Sequence, residues 1–376
     1  MSGGRSTPAR RVLVVGAGLI GTSVALALRE RGHPVWLADV SAVHLHQAHS
    51  LGAGDVHAGE PVDVTVVAVP PGSTAQVVAT HIREHDHGTV TDTASIKRAV
   101  QDEVRRLLND PSHSTPTQAI HVPRYVGGHP LAGRERGGPH RAHPAMFAGR
   151  AWVLTPGPDA SPESLDDARW LVTECGATPV TMTAEEHDHA LAVTSHLPQL
   201  VASALAARLA TQPDAVLQLV GQALRDMTRI AAADPSLWVD IATGNAGPLA
   251  DAIDGLTASL QQVAVALRSM PPDSDPVRHL IEAGGAGYSR LPGKHGGSPR
   301  SYHIVPVVVP DQPGQMARLL ADAAASGANV EDLRVEHAPG LPVGLIELFV
   351  GPESAHALRT ALANRGWTLT DEPAAP

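Results

Sequence analysis

The chain has 376 residues, a formal net charge of −10 and one cysteine, Cys175. That length suits two or three domains with their own cores, and the acidic balance, with no basic run, argues against nucleic acid as a partner. A single cysteine allows neither an intrachain disulfide nor a thiolate zinc cluster and fits a reducing compartment.

No apolar stretch approaches the roughly 20 residues that span a bilayer. Met1–Arg10 is a polar tail without the apolar core of a signal peptide, so a cytoplasmic protein with no membrane partner is expected. Val12–Val15 and Gly16 read as a short buried strand breaking into a turn. Apolar residues then recur at helical spacing through Leu19, Ile20, Val24, Ala27 and Leu28. Gly16, Gly18 and Gly21 supply G-x-G-x-x-G at this turn, with Leu19 and Ile20 between the last two. The first glycine serves a tight turn, the second lets backbone approach a pyrophosphate, and the third permits close helix–strand packing. The free N–H groups of the helix start suit phosphates. A second strand, Pro34–Ala38, ends on Asp39, 18 residues past Gly21. A carboxylate there accepts from a ribose 2′-hydroxyl and repels a 2′-phosphate; no arginine follows it, so NAD is expected over NADP.

Val43–His49 follows as a helix. Its His44, His46 and His49 are read as solvated, since no cysteine or carboxylate cluster accompanies them, and no metal is expected. Val62–Val69 is a near-continuous apolar strand, stopped by Pro70-Pro71, with Ser73 as N-cap of a helix to His85. Thr89–Thr93 gives another strand, and Ser95 begins a helix through Leu108. This alternation predicts an α/β domain with a doubly wound parallel sheet of Rossmann type and the ligand at the carboxyl ends of its strands. Val69, Pro70 and Thr93 then join the cofactor edge, flanked by Ser95 and Lys97.

Asn109–His121 reads as a loop or insertion. Tyr125–Pro130 opens a glycine- and arginine-rich stretch, Leu131–Arg150, too polar for core, and long polar loops at a ligand edge often carry function. Strands at Trp152–Thr155 and Thr178–Thr181 flank a helix at Pro162–Cys175 and close a first domain of residues 11–182. From Ala184 to Met270 the apolar spacing is helical throughout, giving an all-helical domain of residues 183–270. Residues 271–301, rich in Gly and Pro, read as a linker. Residues 302–370 resume as strand, helix, strand, strand, helix, strand, the ferredoxin-like βαββαβ order. Pro306 argues against a central position for the first of these strands, or marks a bulge.

No G-x-S-x-G, P-loop or H-E-x-x-H occurs, so hydrolase and kinase chemistry has no local support. His129, between Gly128 and Pro130, lies where a nicotinamide is expected. A histidine there can take a proton from an alcohol as hydride leaves; a loop histidine bonded to backbone is the alternative. His196 sits in Thr194–Pro198, where Pro198 makes a local break, so the ring projects into a cleft or caps the helix. Arg225 and Arg229, at i,i+4, suit a substrate carboxylate or a solvated charged face.

These motifs are similar to a known family. GAGLIGTS (Gly16–Ser23), DTASIK (Asp92–Lys97), GGHPLAGRERGG (Gly127–Gly138), TSHLPQL (Thr194–Leu200) and RDMTRIAAADPSLWVDIATGN (Arg225–Asn245), in this order, resemble the prephenate and arogenate dehydrogenases of tyrosine biosynthesis. DQPGQMARLL (Asp311–Leu320) and GANVEDL (Gly327–Leu333) resemble an ACT domain, and LPGKHGG (Leu291–Gly297) a linker of ACT-bearing members. The resemblance implies that His129 polarises the ring hydroxyl of prephenate or arogenate during hydride transfer to NAD, with Ser95 bonding nearby. It implies that Arg229 anchors a carboxylate, that His196 is a second active-site histidine, that Glu135 modulates access, and that Asp226 and Trp238 support the helical domain. It further implies a homodimer paired through its helices. Tyrosine is the implied effector, at a site of Asp311, Gly314 and Asn329, where a turn and a helix N-terminus can meet an amino acid.

β-Hydroxyacid dehydrogenases also join a Rossmann domain to a helical one, but they use a lysine in the helical region. This chain has none between Lys97 and Lys294. An amino-acid-sensing protein with an inactive site is the other alternative, against which His129, Ser95 and Arg229 stand together.

Overall fold

β1 (Val12–Val15) runs through the middle of an eight-stranded sheet because its apolar side chains find cover on both faces. The computed structural model describes residues 9–110, 122–133, 137–291, 302–337 and 342–370, in two compact units divided after Ala258. In the first unit the chain continues through α1 (Leu19–Glu30), β2 (Val35–Ala38), α2 (Ala42–Ser50), β3 (Asp55–Val56), β4 (Val64–Val67), α3 (Pro71–Glu84), β5 (Thr89–Asp92) and α4 (Arg98–Leu108). β6 (Tyr125–Pro130), β7 (Ala151–Pro156), α5 (Pro162–Glu174) and β8 (Thr178–Thr181) complete the sheet, in the order β3-β2-β1-β4-β5-β6-β7-β8. Strand order turns back beside β1, the switch point at which open α/β sheets of the Rossmann type bind ligands.

Several local expectations change. β3, an exposed two-residue edge strand, carries no apolar pattern to announce it. The sheet is not wholly parallel: β7 runs antiparallel to β6. Tyr125–Pro130 is a strand buried at all six positions, and within the stretch expected to be too polar for core Phe147 is fully buried, its ring 5.1 Å from Trp152. α3 is capped at Pro70 and opens on Pro71, which has no N–H to leave unsatisfied, so Ser73 lies inside the helix and is not its cap. α4 starts at Arg98, three residues after Ser95, because its capping carboxylate comes from a distant residue, Asp188.

The helical segment begins with α6 (Ala184–Leu191), opened by a capping box of Thr183 and Glu186. Pro198 does not break it. Leu197 N–H reaches back five residues to the Ala192 carbonyl, making a π-helical turn over Ala192–His196 before α7 (Leu197–Ala207). Pro198 has no N–H for an i→i−4 bond, and widening the turn keeps the chain helical. α8 (Asp214–Leu217), α9 (Gln222–Thr228), a 3₁₀ turn at Arg229–Ala231 and α10 (Pro235–Gly244) follow. Ile241 of α10 is buried in the core between α3 and α4, with Trp238 packed against it. α11 (Ala246–Arg268) crosses the division between the units.

Contrary to the expectation that no apolar stretch approaches a bilayer span, the helical run Ala184–Ala207 is long and apolar enough to cross one by length and composition alone. Its first turns nevertheless carry Glu185, Glu186, His187 and Asp188, and the last two are buried in the protein. Apolar side chains also stand exposed on the helices of the first unit, Val193, Leu217, Met227, Leu237 and Val239 among them.

In the second unit, α12 (Asp275–Tyr288) forms inside the expected linker despite Gly284, Gly285 and Gly287, with Ile281 and Tyr288 exposed. Leu291 ends that described stretch; the rest of the LPGKHGG motif lies outside the described residues. β9 (His303–Pro310), α13 (Gln315–Ala324), β10 (Val330–His337), β11 (Val343–Val350), α14 (Pro352–Asn364) and β12 (Thr368–Leu369) give the ferredoxin-like order β10-β11-β9-β12, with all pairs antiparallel. β9 is central in spite of Pro306. Thr370 N–H donates to the Pro306 carbonyl, and the Thr370 carbonyl, which a residue other than proline would have met, accepts from Arg359 at 3.1 Å.

Candidate active site

The glycine turn after β1 has the shape its sequence predicts. Gly16 adopts φ +103°, and a Cβ on it would fall on the Ala68 carbonyl. A Cβ on Gly21 would fall on the Gly16 carbonyl, so α1 approaches the strand only because Gly21 has no side chain. Gly18 faces open space at the start of α1, leaving backbone N–H groups with room for a phosphate. Asp39 stands beside the turn. Its Oδ2 accepts from Ala17 N–H at 2.6 Å and its Oδ1 from Ser41 N–H at 2.6 Å, so the carboxylate is held where a ribose would meet it. The cradle fits a dinucleotide.

Val69 and Pro70 follow β4, and Thr93 and Ser95 follow β5, all on the same edge of the sheet. Ser95 is half-buried in the β5–α4 turn, and no bond links it to His129. Beneath this turn lies a charged cluster with no access to water. Lys97 is fully buried and pairs with Asp92, while its ammonium also donates to the Gly128 carbonyl at 2.6 Å. Tyr125 O–H donates to Asp92 Oδ2 at 2.7 Å. Burial pulls the Lys97 ammonium below its ordinary value although Asp92 opposes this, and burial beside Asp92 raises the Tyr125 phenol. A Cβ on Gly127 would meet Thr155 and one on Gly128 the Asp92 carbonyl, so both glycines before His129 are imposed by this packing.

His129 is the penultimate residue of β6, 8 % exposed. Its Nδ1 lies 2.8 Å from His187 Nε2, and His187 Nδ1 lies 2.7 Å from Asp188 Oδ1. The Asp188 carboxylate also accepts from the Lys97 and Arg98 N–H groups, each at 2.9 Å. Burial disfavours its charge, but the bonds from His187, Arg98 and Lys97 outweigh that and hold it below the usual carboxylate range. His129 is pushed well below the ordinary histidine value, by burial first and then by His187, Lys97 and His196. His196, in the π-helical turn, is almost wholly buried, and burial lowers it to about 4. Asn245 Nδ2 lies 2.7 Å from the Asp188 carbonyl and 3.1 Å from His196 Nδ1, while His196 Nε2 is buried without a partner among the described residues.

Other expected residues are less tightly gathered. Trp238 stands with its ring 6.1 Å from that of His196 and nearly perpendicular. Arg229 is exposed in the 3₁₀ turn; α9 ends at Thr228, so Arg225 and Arg229 do not share one uninterrupted helix. Gln199 Nε2 donates to the Ile230 carbonyl at 2.9 Å and ties that turn to α7. Asp226 is exposed and accepts from Gln222 at 2.8 Å. Glu135 lies outside the described residues. His187, Asp188, Gln199 and Asn245 escaped the sequence reading. No His, Cys, Asp or Glu group that could hold a metal ion occurs among the described residues.

Comparison with known proteins places this geometry. The family model for the prephenate dehydrogenase nucleotide-binding domain matches residues 24–181, and that for the prephenate dehydrogenase dimerization domain matches residues 183–281. A Streptomyces niveus protein described as a probable prephenate dehydrogenase is 32% identical over 368 residues, 95% of this chain and 99% of its own length. The crystal structure of an Aquifex aeolicus prephenate dehydrogenase with hydroxyphenyl propionate and NAD+ is 26% identical with a TM-score of 0.65, over 76% of this chain and 99% of that one. A Synechocystis arogenate dehydrogenase is 26% identical with a TM-score of 0.61, over 75% of this chain and 100% of that one.

Asp39 gives this site a test. Asp39→Ala is expected to remove the 2′-hydroxyl acceptor together with a support of the glycine turn, lowering kcat/KM with NAD by more than tenfold and eroding preference over NADP. Initial rates with both cofactors check it. Equal or better kcat/KM with NADP in the unaltered protein would contradict the role assigned to Asp39.

Proposed function

The chain belongs to the prephenate dehydrogenase family, and from that premise we propose how its residues carry out the NAD-dependent oxidative decarboxylation of prephenate to 4-hydroxyphenylpyruvate and CO2. NAD, when bound on the glycine turn, supplies the hydride acceptor. The observation that carries the reading is His129, buried at the carboxyl end of β6 on the cofactor edge, with Nδ1 engaged by His187 and burial disfavouring its charged form. Loss of hydride from the carbon bearing that hydroxyl yields a dienone. Its carbonyl is conjugated to the carbon bearing the ring carboxylate, so CO2 leaves into an electron sink and the ring becomes aromatic.

The residues of this chain need only orient the ring and handle one proton. His129 accepts the hydroxyl proton, and Ser95 bonds the same oxygen from the β5–α4 turn. Arg229 holds a carboxylate, His196 meets a second polar group of the substrate, and Trp238 and Asp226 support the helices around them. Glu135 keeps the access role that the family resemblance suggests. Arogenate, which carries an amino acid in place of the keto acid side chain, is the second reading, supported by the 26% identity to the Synechocystis arogenate dehydrogenase. NADH formation from each substrate decides between them.

His129→Ala should lower kcat by ~10²–10⁴-fold with little change in KM, the range for one acid–base group. Arg229→Ala should chiefly raise KM, because a carboxylate clamp acts in ground and transition states alike. The converse pattern would show the roles reversed. Since the neutral ring is the active form and His129 is depressed, kcat/KM should hold as pH falls and fail only below the ordinary histidine value of 6.5. An acid limb above 6.5 would rule His129 out as the group observed.

The exposed apolar side chains on the helices, in a segment matched by the family's dimerization domain, support a homodimer. A monomer mass by light scattering at micromolar concentration would contradict it.

For the ferredoxin-like unit the proposal is an ACT domain that binds tyrosine. Gly314 takes φ +86° at the start of α13, beside Asp311, and Asn329 lies exposed just before β10. Asn329→Ala should weaken tyrosine inhibition at unchanged kcat. An unchanged inhibition midpoint in that variant and in Gly314→Val would remove the effector role.

A further inference from the structure

We propose that Asp188 fixes opposite hydrogen-bond polarity in the two active-site histidines, acting through His187 on one and through Asn245 on the other, so that His129 Nε2 is an acceptor and His196 Nε2–H a donor. The inference rests on His129 being the proton acceptor of the reaction proposed above.

The polarity follows from which groups can only give or only take. The Lys97 and Arg98 backbone N–H groups only donate, and both point at the Asp188 carboxylate. That carboxylate is held ionised and therefore only accepts, so His187 Nδ1, at 2.7 Å, must carry the hydrogen. With His187 taken to carry a single proton, its lone pair lies on Nε2. The group 2.8 Å from that lone pair is His129 Nδ1, which must donate, leaving the His129 lone pair on Nε2. The backbone carbonyl of Asp188 sets the other histidine. It only accepts, so the Asn245 atom 2.7 Å away is the NH2 group and not the amide oxygen. The same nitrogen lies 3.1 Å from His196 Nδ1, which must accept from it. His196 Nε2 then carries the hydrogen, and it is the buried atom without a partner among the described residues.

One residue thus gives the site an acceptor suited to a hydroxyl and a neutral donor suited to a carbonyl or carboxylate oxygen. His187 and Asp188 touch neither substrate nor cofactor in this scheme; they are positioning residues. As hydride leaves, the O–H bond breaks and its proton forms an N–H bond at His129 Nε2. The resulting imidazolium keeps Nδ1–H on His187, and its added charge is spread toward Asp188.

The test is the tautomer itself, read from long-range 1H–15N spectra of the full chain labelled with [15N]histidine, with His129→Gln and His196→Gln for assignment. The expected spectrum shows His129 protonated at Nδ1 and His196 at Nε2. Protonation of His129 at Nε2, or a doubly protonated His187 that would reverse the chain, overturns the proposal. Kinetics with prephenate and NAD supply a second arm. His187→Phe keeps the ring but removes both polar atoms, and kcat should fall by up to ~10⁴-fold, the loss a misplaced tautomer can cause, with KM within about twofold. His187→Gln, which offers a donor and an acceptor, should recover part of that loss. If His129→Ala abolishes turnover while His187→Phe leaves kcat unchanged, the positioning role alone fails. If His129→Ala leaves kcat unchanged, the reading of His129 as proton acceptor fails instead. Should His187→Phe not fold, the spectrum of the unaltered chain decides.

Discussion

The site depends on the burial of one carboxylate. Asp188 is 2 % exposed, and a carboxylate taken out of water costs several kcal/mol unless each oxygen finds donors. The donors come from two places: the first backbone N–H groups of α4 in the Rossmann sheet and a histidine of its own helix. Its carbonyl is engaged by Asn245, at the junction of α10 and α11. Asp188 thus ties the β5–α4 turn to the end of α10, and Asn245 extends the link to His196 in the π-helical turn. Those three places carry Ser95, His196 and the helix that bears Trp238. The alignment of the helical segment on the sheet and the arrangement of polar groups in the cleft are one constraint.

A second buried charge works below the first. The Lys97–Asp92 pair lies under the two glycines of β6, and its contact with the Gly128 carbonyl sets the height of the strand that delivers His129. Buried pairs are weak sources of stability, yet losing one partner costs ~3–5 kcal/mol because the other charge is stranded. Lys97 is therefore structural in position although it falls in a motif beside the cofactor. Its charge also helps keep His129 uncharged. The absence of any lysine between Lys97 and Lys294 is consistent with a proton handled by histidine.

What could be read from the sequence was what is local. The glycine turn, the carboxylate ending β2, the alternating strands and the βαββαβ order all follow from residues within a few positions of one another. The misreadings share the opposite property. α4 was placed too early because its cap is Asp188, about ninety residues away in the chain. Pro306 reads as an argument against a central β9, or as a bulge, because the arginine that bonds the carbonyl opposite it lies on α14. α12 was hidden by three glycines, whose helix cost of ~1 kcal/mol each is a weak prior that context overrides. His187 and Asp188 sat in an acidic, histidine-rich run that resembles a solvated face. They fall one helical turn before Leu191 and Ala192, both buried, so the helical spacing did place two polar residues on the apolar side.

Burial of the base is consistent with the proton balance of the proposed reaction. Prephenate and 4-hydroxyphenylpyruvate both bear a hydroxyl on the carbon that loses hydride. The proton taken up by His129 as the dienone forms is given back to the same oxygen once CO2 has left and the ring is aromatic. No net proton has to reach bulk water during turnover, so a base at the end of a buried strand loses nothing by its isolation. The same isolation serves the step in between. An imidazolium formed in a dry site, beside Lys97 and His187 and depressed by both, is a strong acid. It returns its proton readily to the developing phenolate, and the His187–Asp188 chain keeps the ring turned so that the nitrogen which received the proton is the one that gives it back.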